Sequence, residues 1–182
     1  MSLIILDRDG VINHDSDDFI KSADEWIPID GSLEAIAQFK HAGYSVAVAT
    51  NQSGIARGLY DLETLHSMHK KMAEMLESIG GAVDAIFYCP HLPAARCSCR
   101  KPKPGMLLEI AKRFKCDSLA GVYYVGDSYR DIEAARAAGA VPVLVKTGKG
   151  QRTLDEYDAK VLADVLVFDD LIAVANNLLV TK

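Results

Sequence analysis

Asp7 and Asp9 flank Arg8 in the run Leu6-Asp7-Arg8-Asp9-Gly10, directly after the apolar stretch Leu3 to Leu6. Side chains two apart on an extended chain share a face, so the spacing predicts that both carboxylates point together while Arg8 points away. Two like charges in one small space are costly unless a cation neutralises them or one carboxyl keeps its proton. Both outcomes suit phosphoryl transfer, with Mg²⁺ bridging Asp7 and a phosphate and Asp9 delivering a proton. Gly10 lets the backbone turn tightly beside a ligand. A lone Asp-x-Asp is more often a pair of solvated acids at a strand end, so its companions decide.

Three companions follow. Ala49-Thr50-Asn51-Gln52-Ser53-Gly54 ends a second apolar run, where a hydroxyl and backbone N–H groups can hold phosphate oxygens. Arg100-Lys101-Pro102-Lys103-Pro104 opens a helical pattern and puts cationic donors where the helix dipole also favours an anion. Val125-Gly126-Asp127-Ser128, with Asp131 four residues beyond Asp127, brings a third acid. Taken singly, these are an ordinary polar loop, a solvated basic run and a helix N-cap. Cys89, His91, Cys97 and Cys99 fall within eleven residues and match the one-His, three-Cys inventory of structural zinc. Disulfides are the alternative, but Cys97 and Cys99 are too close to bridge comfortably, and such bonds are rare in the compartment expected here. Four protein ligands make a closed site, whose job is to stiffen a loop too short to own a core and so aim Arg100 and Lys101. Cys116 reads as a plain thiol.

The elements that must position these residues alternate. Leu3 to Leu6, Val46 to Thr50, Ala85 to Tyr88, Val122 to Val125, Val141 to Val145 and Val165 to Phe168 read as strands. Ser32 to His41, Leu62 to Ile79, Pro104 to Phe114 and Arg130 to Ala138 read as helices, with Gly43, Gly80-Gly81 and Gly139 as stops. Met68 and Met72 sit on the apolar stripe and are core. The pattern predicts an α/β fold: a three-layer, doubly wound, mostly parallel sheet in a single unit over 1–182. Two segments escape it, Asn13 to Pro28 and Cys89 to Lys103. Both follow strands, and ligands of open α/β sheets sit beyond the carboxyl ends of strands, so both are candidate walls.

A chain of 182 residues, 49% hydrophobic and 25% charged, affords a real core and excludes a disordered or collagen-like protein. No apolar run approaches bilayer length and no signal-peptide pattern opens the chain, so a cytoplasmic protein without membrane partners is expected. The net charge of −5 disfavours nucleic acid while leaving room for a local basic pocket around a small phosphorylated substrate. Thr147-Gly148-Lys149-Gly150 lacks P-loop spacing and reads as a turn.

Together the Asp7/Asp9, Thr50, Lys101 and Asp127 segments resemble the motif set of the haloacid-dehalogenase (HAD) superfamily of phosphohydrolases, from Leu3 to about Val145. The resemblance implies a hydrolase that forms an aspartyl phosphate on Asp7, with Asp9 as acid/base and Thr50 and Lys101 in the catalytic set. It also implies Mg²⁺ held by Asp7, Asp9 and Asp127. A carboxylate nucleophile splits hydrolysis into two easier displacements, and Lys101 would stabilise charge on the transferring phosphoryl group.

The zinc loop before Arg-Lys-Pro is similar to two branches of that superfamily, the heptose-bisphosphate and histidinol-phosphate phosphatases. Thr50-Asn51-Gln52-Ser53-Gly54-Ile55-Ala56-Arg57-Gly58 and Arg100-Lys101-Pro102-Lys103-Pro104-Gly105-Met106 resemble the heptose branch more closely. That branch implies removal of the 7-phosphate of heptose 1,7-bisphosphate, in the synthesis of nucleotide-activated heptose for lipopolysaccharide core or surface glycans. It implies a substrate loop with Asp15, Ser16, Asp17 and Asp18, and pocket contacts from Thr50, Asn51, Gln52, Ser53, Arg100, Lys101 and Ser128. Arg57 is a candidate second cation for a bisphosphate. Ser128 stands where some relatives carry Lys, and the loop between His91 and Cys97 is short at five residues. No separate cap domain is expected, so the pocket should be open, closed partly by 13–28, in a monomer. Histidinol-phosphate hydrolysis is the alternative; a polynucleotide 3′-phosphatase and a non-catalytic phosphosugar-binding module come after it. Two carboxylates facing one anion gain a pure binder nothing, which favours an enzyme.

Overall fold

The computed structural model describes residues 2–180; Met1, Thr181 and Lys182, the ends of the expected 1–182 unit, lie outside the described residues. Six strands, β1 (Ser2–Leu6), β2 (Tyr44–Asn51), β3 (Ala85–Cys89), β4 (Tyr123–Gly126), β5 (Val141–Val145) and β6 (Leu166–Phe168), pair in the order β3-β2-β1-β4-β5-β6. Every pairing is parallel, so the sheet is wholly rather than mostly parallel. The order reverses at β1, which lies between β2 and β4. The crevice beyond the carboxyl ends of those three strands is where such a sheet accepts ligands.

Strand alternation divides the core. Ile4, Leu6, Val46, Val48 and Val125 face helices α1 (Ser32–His41), α2 (Leu62–Glu77) and α6 (Leu171–Val180) through Phe39, Met68, Met72 and Val174. Leu3, Ile5, Ala47, Ala49 and Tyr124 face α3 (Gly105–Arg113) and α4 (Tyr129–Ala138) through Met106, Leu107, Ile110 and Ala134. A strand buried on both faces must be apolar throughout, and β1 and β2 are. The methionines of α2 are core, as their spacing requires.

Two helices escaped the sequence pattern. α5 (Gly150–Glu156) is short and buries only Gly150 and Thr153, too few positions for a stripe. α6 is apolar nearly all round, so its period does not stand out, although Asp170 Oδ1 accepts from Ala173 N at its start. The segments 7–31 and 90–104 hold isolated bridges at Asn13 and one 3₁₀ turn, Pro93–Ala95, with no cap domain among the described residues. No helix among the described residues is long and apolar enough to cross a membrane.

The segment after β1 is more firmly tied than a flexible loop. Trp26 is fully buried in the core, Asn13 bridges both Asp9 and Pro28, and Lys71 Nζ donates to the carbonyls of Ala23 (2.7 Å) and Trp26 (2.8 Å).

Candidate active site

β1 ends at Leu6, so strand alternation stops just where the acids begin. Asp7 N still donates to Val125 O (2.8 Å), which fixes Asp7 between the ends of β1 and β4. Arg8 does not point away from both acids as strand alternation would have it. Its side chain is 1% exposed and curls beneath the site to reach Asp9 Oδ1 (2.9 Å) and Oδ2 (3.1 Å). Gly10 turns with φ of 84°, and a Cβ there would lie 2.0 Å from Asp127 Oδ2. Only glycine admits that approach, and Gly148 repeats it from the other side, where a Cβ would lie 2.2 Å from the same oxygen.

The cleft, of about 350 Å³, is lined by Asp7, Asp9, Asp15, Ser16, Asp17, Thr50, Asn51, Gln52, Ser53, Arg57, Arg100, Lys101, Asp127 and Ser128. Of the residues singled out for catalysis or substrate, Asp18 alone stays out. It is exposed, with its N donating to Ser16 Oγ (3.1 Å) and its carbonyl accepting from Lys21 Nζ (2.8 Å), while Phe19 and Ile20 line the cleft in its place.

At the floor, Lys101 Nζ lies 2.8 Å from Asp7 Oδ2 and 2.7 Å from Asp131 Oδ1 and donates to Ala49 O (3.0 Å) and Tyr124 Oη (3.0 Å). Its position comes from Asn51, whose Oδ1 accepts from Lys101 N (3.1 Å) and whose Nδ2 donates to Lys101 O (3.2 Å). Asn51 is therefore a clamp across the ends of two segments more than a ligand contact. Asp131 reaches the floor through a capping box, with Ser128 N (3.1 Å) and Oγ (2.6 Å) both donating to its Oδ2. The Ser128 hydroxyl is thereby committed to the start of α4, and the rim cation nearby is Arg130, two residues on. Thr50 Oγ1 accepts from Gln52 Nε2 (2.9 Å), which leaves the Thr50 hydroxyl proton to donate to a ligand oxygen.

The electrostatics sort the acids in an order the spacing did not suggest. Burial raises Asp7 to about 7, opposed by Lys101 and assisted by Asp131 and Asp9. Burial, Asp131 and Asp7 raise Asp127 to about 8. Burial pushes Asp131 up, but Lys101, Ser128 and Tyr124 together more than offset that push and lower it. Asp9 is held low as well: burial pushes its pKa up, but Arg8, Asn13 and Gln52 more than offset that push. With no cation between them, the carboxyls that burial raises are thus Asp7 and Asp127, while Asp9 is lowered.

Asp7, Asp127 and Asp131 each bring an oxygen within 4.8 Å of the others. Three crowded carboxylates against one lysine are the donor set of a hard divalent cation, and the raised Asp7 and Asp127 mark where charge is missing. The Asp9 side chain is not in this set; both of its oxygens face Arg8, Asn13 and Gln52 instead. Among the carboxylates it is Asp131 that completes the cluster.

The second cluster forms as its spacing suggested. Cys89 Sγ lies 3.5 Å from His91 Nδ1 and 3.6 Å from Cys97 Sγ, and Cys99 Sγ lies 3.3 Å from His91 Nδ1 and 3.4 Å from Cys97 Sγ. Zinc bonds of about 2.3 Å to sulfur and about 2.0 Å to nitrogen imply tetrahedral edges of roughly 3.5–3.8 Å, which these separations approach. No disulfide links the cysteines, and Cys116 stays apart. Lys103 Nζ donates to Arg96 O (3.0 Å) and Cys97 O (2.8 Å), and Arg100 Nη1 donates to His91 O (3.2 Å), so the loop orients the basic run.

Lys149 has a part that no local sequence signal announced. Its N–H donates to Asp127 Oδ2 (2.8 Å), and its ammonium lies 2.7 Å from Asp15 Oδ2, tying the substrate loop across the mouth. Arg57 leans over the Phe19 ring at 5.5 Å and closes the other flank.

The HAD-hydrolase-like family model matches residues 98–174. A D-glycero-beta-D-manno-heptose-1,7-bisphosphate 7-phosphatase of Pseudomonas aeruginosa is 60% identical over 179 residues, covering 98% of each chain. The enzyme of that name from Bordetella bronchiseptica is 55% identical over 179 residues, again covering 98% of each. The crystal structure of D,D-heptose 1,7-bisphosphate phosphatase from B. bronchiseptica, complexed with magnesium and phosphate, superposes with a TM-score of 0.96 at 54% identity over 100% of both chains.

Proposed function

The chain belongs to the D-glycero-beta-D-manno-heptose-1,7-bisphosphate 7-phosphatase family of HAD-like hydrolases, and on that premise we propose that it removes the 7-phosphate of the β-bisphosphate through an aspartyl phosphate on Asp7. The observation that carries the mechanism is Asp7 itself, held at the end of β1 between Lys101 (2.8 Å) and the Asp127/Asp131 pair, at the floor of the cleft. A Mg²⁺ ion held there by Asp7 and Asp127 would neutralise the attacking carboxylate and the phosphate it approaches.

The chain's own groups do the rest. An Asp7 carboxylate oxygen attacks phosphorus, and the bond from phosphorus to the sugar's C7 oxygen breaks. Lys101 and the Thr50 hydroxyl offset the charge on the equatorial oxygens. Asp9 gives its proton to the departing oxygen, then takes one from the water that opens the aspartyl phosphate, so each turnover ends with Asp9 protonated again. Once Asp9 has given up its proton, the contacts from Arg8, Asn13 and Gln52 favour its carboxylate form, which suits the second half. Arg57, Arg100, Arg130 and Lys149 at the rim supply positive charge for the phosphate that is not cleaved.

The Cys89, His91, Cys97 and Cys99 cluster supports structural zinc. We further read residues 1–182 as one catalytic unit that works as a monomer in the cytoplasm, within nucleotide-activated heptose synthesis. Phosphate release with Mg²⁺ from the β and α heptose 1,7-bisphosphates, histidinol phosphate and a 3′-phosphorylated oligonucleotide, run in parallel, tests the assignment. Preferential cleavage of the β-heptose bisphosphate is expected. Cleavage of histidinol phosphate alone would overturn it.

A further inference from the structure

Asp9 is gripped on both carboxylate oxygens. Arg8 Nε (3.2 Å) and Nη2 (2.9 Å) and Asn13 Nδ2 (2.9 Å) donate to Oδ1, while Arg8 Nη2 (3.1 Å) and Gln52 Nε2 (2.8 Å) donate to Oδ2. Gln52 is in turn fixed end for end. Its Oε1 accepts from the Tyr60 hydroxyl (2.6 Å) and Arg8 Nη2 (3.2 Å), and its Nε2 donates to Thr50 Oγ1 (2.9 Å) as well as to Asp9. Turning the amide over would set N–H against Arg8 and carbonyl against carboxylate, so one orientation alone satisfies all four partners.

Gln52 lines the cleft, but it is 3% exposed and both ends of its amide are engaged within the protein. The Tyr60 ring is equally confined, for a Cβ on Gly54 would come within 2.2 Å of it. Burial holds the Tyr60 phenol up at about 12, so it stays a donor.

We propose that Tyr60, acting through Gln52, is a positioning residue that sets the direction of the Asp9 carboxylate and couples it to Thr50, the hydroxyl at the phosphate. The proposal rests on the reading of Asp9 as the acid/base. Without the Tyr60 hydroxyl, Gln52 Oε1 keeps Arg8 alone, the amide is free to swing from its present plane, and its contact to Asp9 Oδ2, the one partner of that oxygen besides Arg8 among the described residues, loosens. Proton transfer to the leaving oxygen then suffers, while the rim that binds substrate is untouched.

The experiment measures kcat/KM, which reports the step through phosphoryl transfer, for wild type, Tyr60→Phe, Gln52→Met and the double variant. The substrates are heptose bisphosphate, an alkyl ester whose leaving oxygen needs a proton, and 4-nitrophenyl phosphate, whose leaving oxygen does not. Tyr60→Phe is expected to lower kcat/KM about tenfold for the alkyl ester and less than about threefold for the aryl ester, with KM for the alkyl ester within about a factor of two. The double variant should be no slower than Gln52→Met, because the two residues act in series. Equal losses on both esters, a loss confined to KM, or losses that multiply in the double variant would overturn the proposal. Should Gln52→Met fail to fold, the ester ratio of Tyr60→Phe decides alone. If wild type prefers a different alkyl phosphate, the functional assignment fails while the ester ratio stays measurable on that substrate.

Discussion

On the floor of the cleft, Asp7 and Asp127 are buried at the ends of strands, Asp131 at the start of a helix and Lys101 on the connection from β3 to α3, and each is held by several partners. At the rim, Asp15, Arg57, Arg100 and Lys149 stand on connections and Arg130 on the first turn of α4, all partly or wholly exposed. The floor crowds like charges into a dry space, at a cost that a bound cation relieves. The rim spreads cations around an open mouth in contact with water, where each is worth little singly. Reaction is thus a property of the sheet and substrate choice a property of the loops, and substitutions in the two regions should fail differently.

The largest expected effect is on the floor. Asp7→Asn removes the nucleophile while keeping its shape, and phosphate release should fall to background with the melting temperature unchanged or higher, since a carboxyl disfavoured by burial has gone. Asp9→Asn comes next, with a loss in kcat on the order of 10²-fold or more and little change in KM. Either change appearing mainly in KM would erase the distinction between floor and rim.

The zinc loop sharpens the comparison, because it is a rim element that delivers a floor residue. Stripping the metal or replacing Cys97 and Cys99 with Ser should raise KM and lower kcat together, by about tenfold each. Hydrogen exchange should quicken over 89–103 and stay slow in β1 and β2. Exchange that quickens throughout the sheet would mean that the cluster supports the whole fold rather than the loop.

A pH test bears on the floor alone. Asp7 and Asp127 titrate near 7 and 8 without a cation, above their unfolded value of 3.8. Their contribution to stability is therefore full below pH 3.8 and is lost as pH rises through 7 to 8. A cation displaces both of those protons, so Mg²⁺ affinity, followed by calorimetry, should rise by well over tenfold between pH 6 and pH 7, about tenfold more by pH 8, and level off above that. A flat profile would show that the crowding is relieved in some other way. The smallest effect is expected from Arg57→Ala, with KM up about threefold and kcat unchanged. An unaltered KM would remove Arg57 from the binding rim.

The sheet and its carboxyl edge were legible because apolar runs bounded by helix stops leave few alternatives, and chemistry at strand ends announces itself by residue type. What stayed hidden was side-chain direction. Arg8 was expected to face away, yet β1 ends before Asp7 and the guanidinium curls beneath Asp9. Asp131 reaches the floor because a capping box folds it back toward Lys101; Ser128-x-x-Asp131 is a recognisable pattern, but its consequence for Lys101 is tertiary. Lys149 and Gly148 carry no local signal at all, because they meet Asp127 and Gly10 only once β5 lies beside β4. Gln52 was placed against substrate because its neighbours are there, and its two-sided engagement depends on Tyr60, eight residues away.

The central claim is that the Asp7 carboxylate attacks phosphorus. Rapid mixing with substrate and Mg²⁺, acid quench in the first turnovers and peptide mass spectrometry should find a phosphoryl group on Asp7 whose amount tracks the approach to steady state. Vigorous phosphate release with Asp7 never modified, or with the phosphoryl group on another residue, would contradict it.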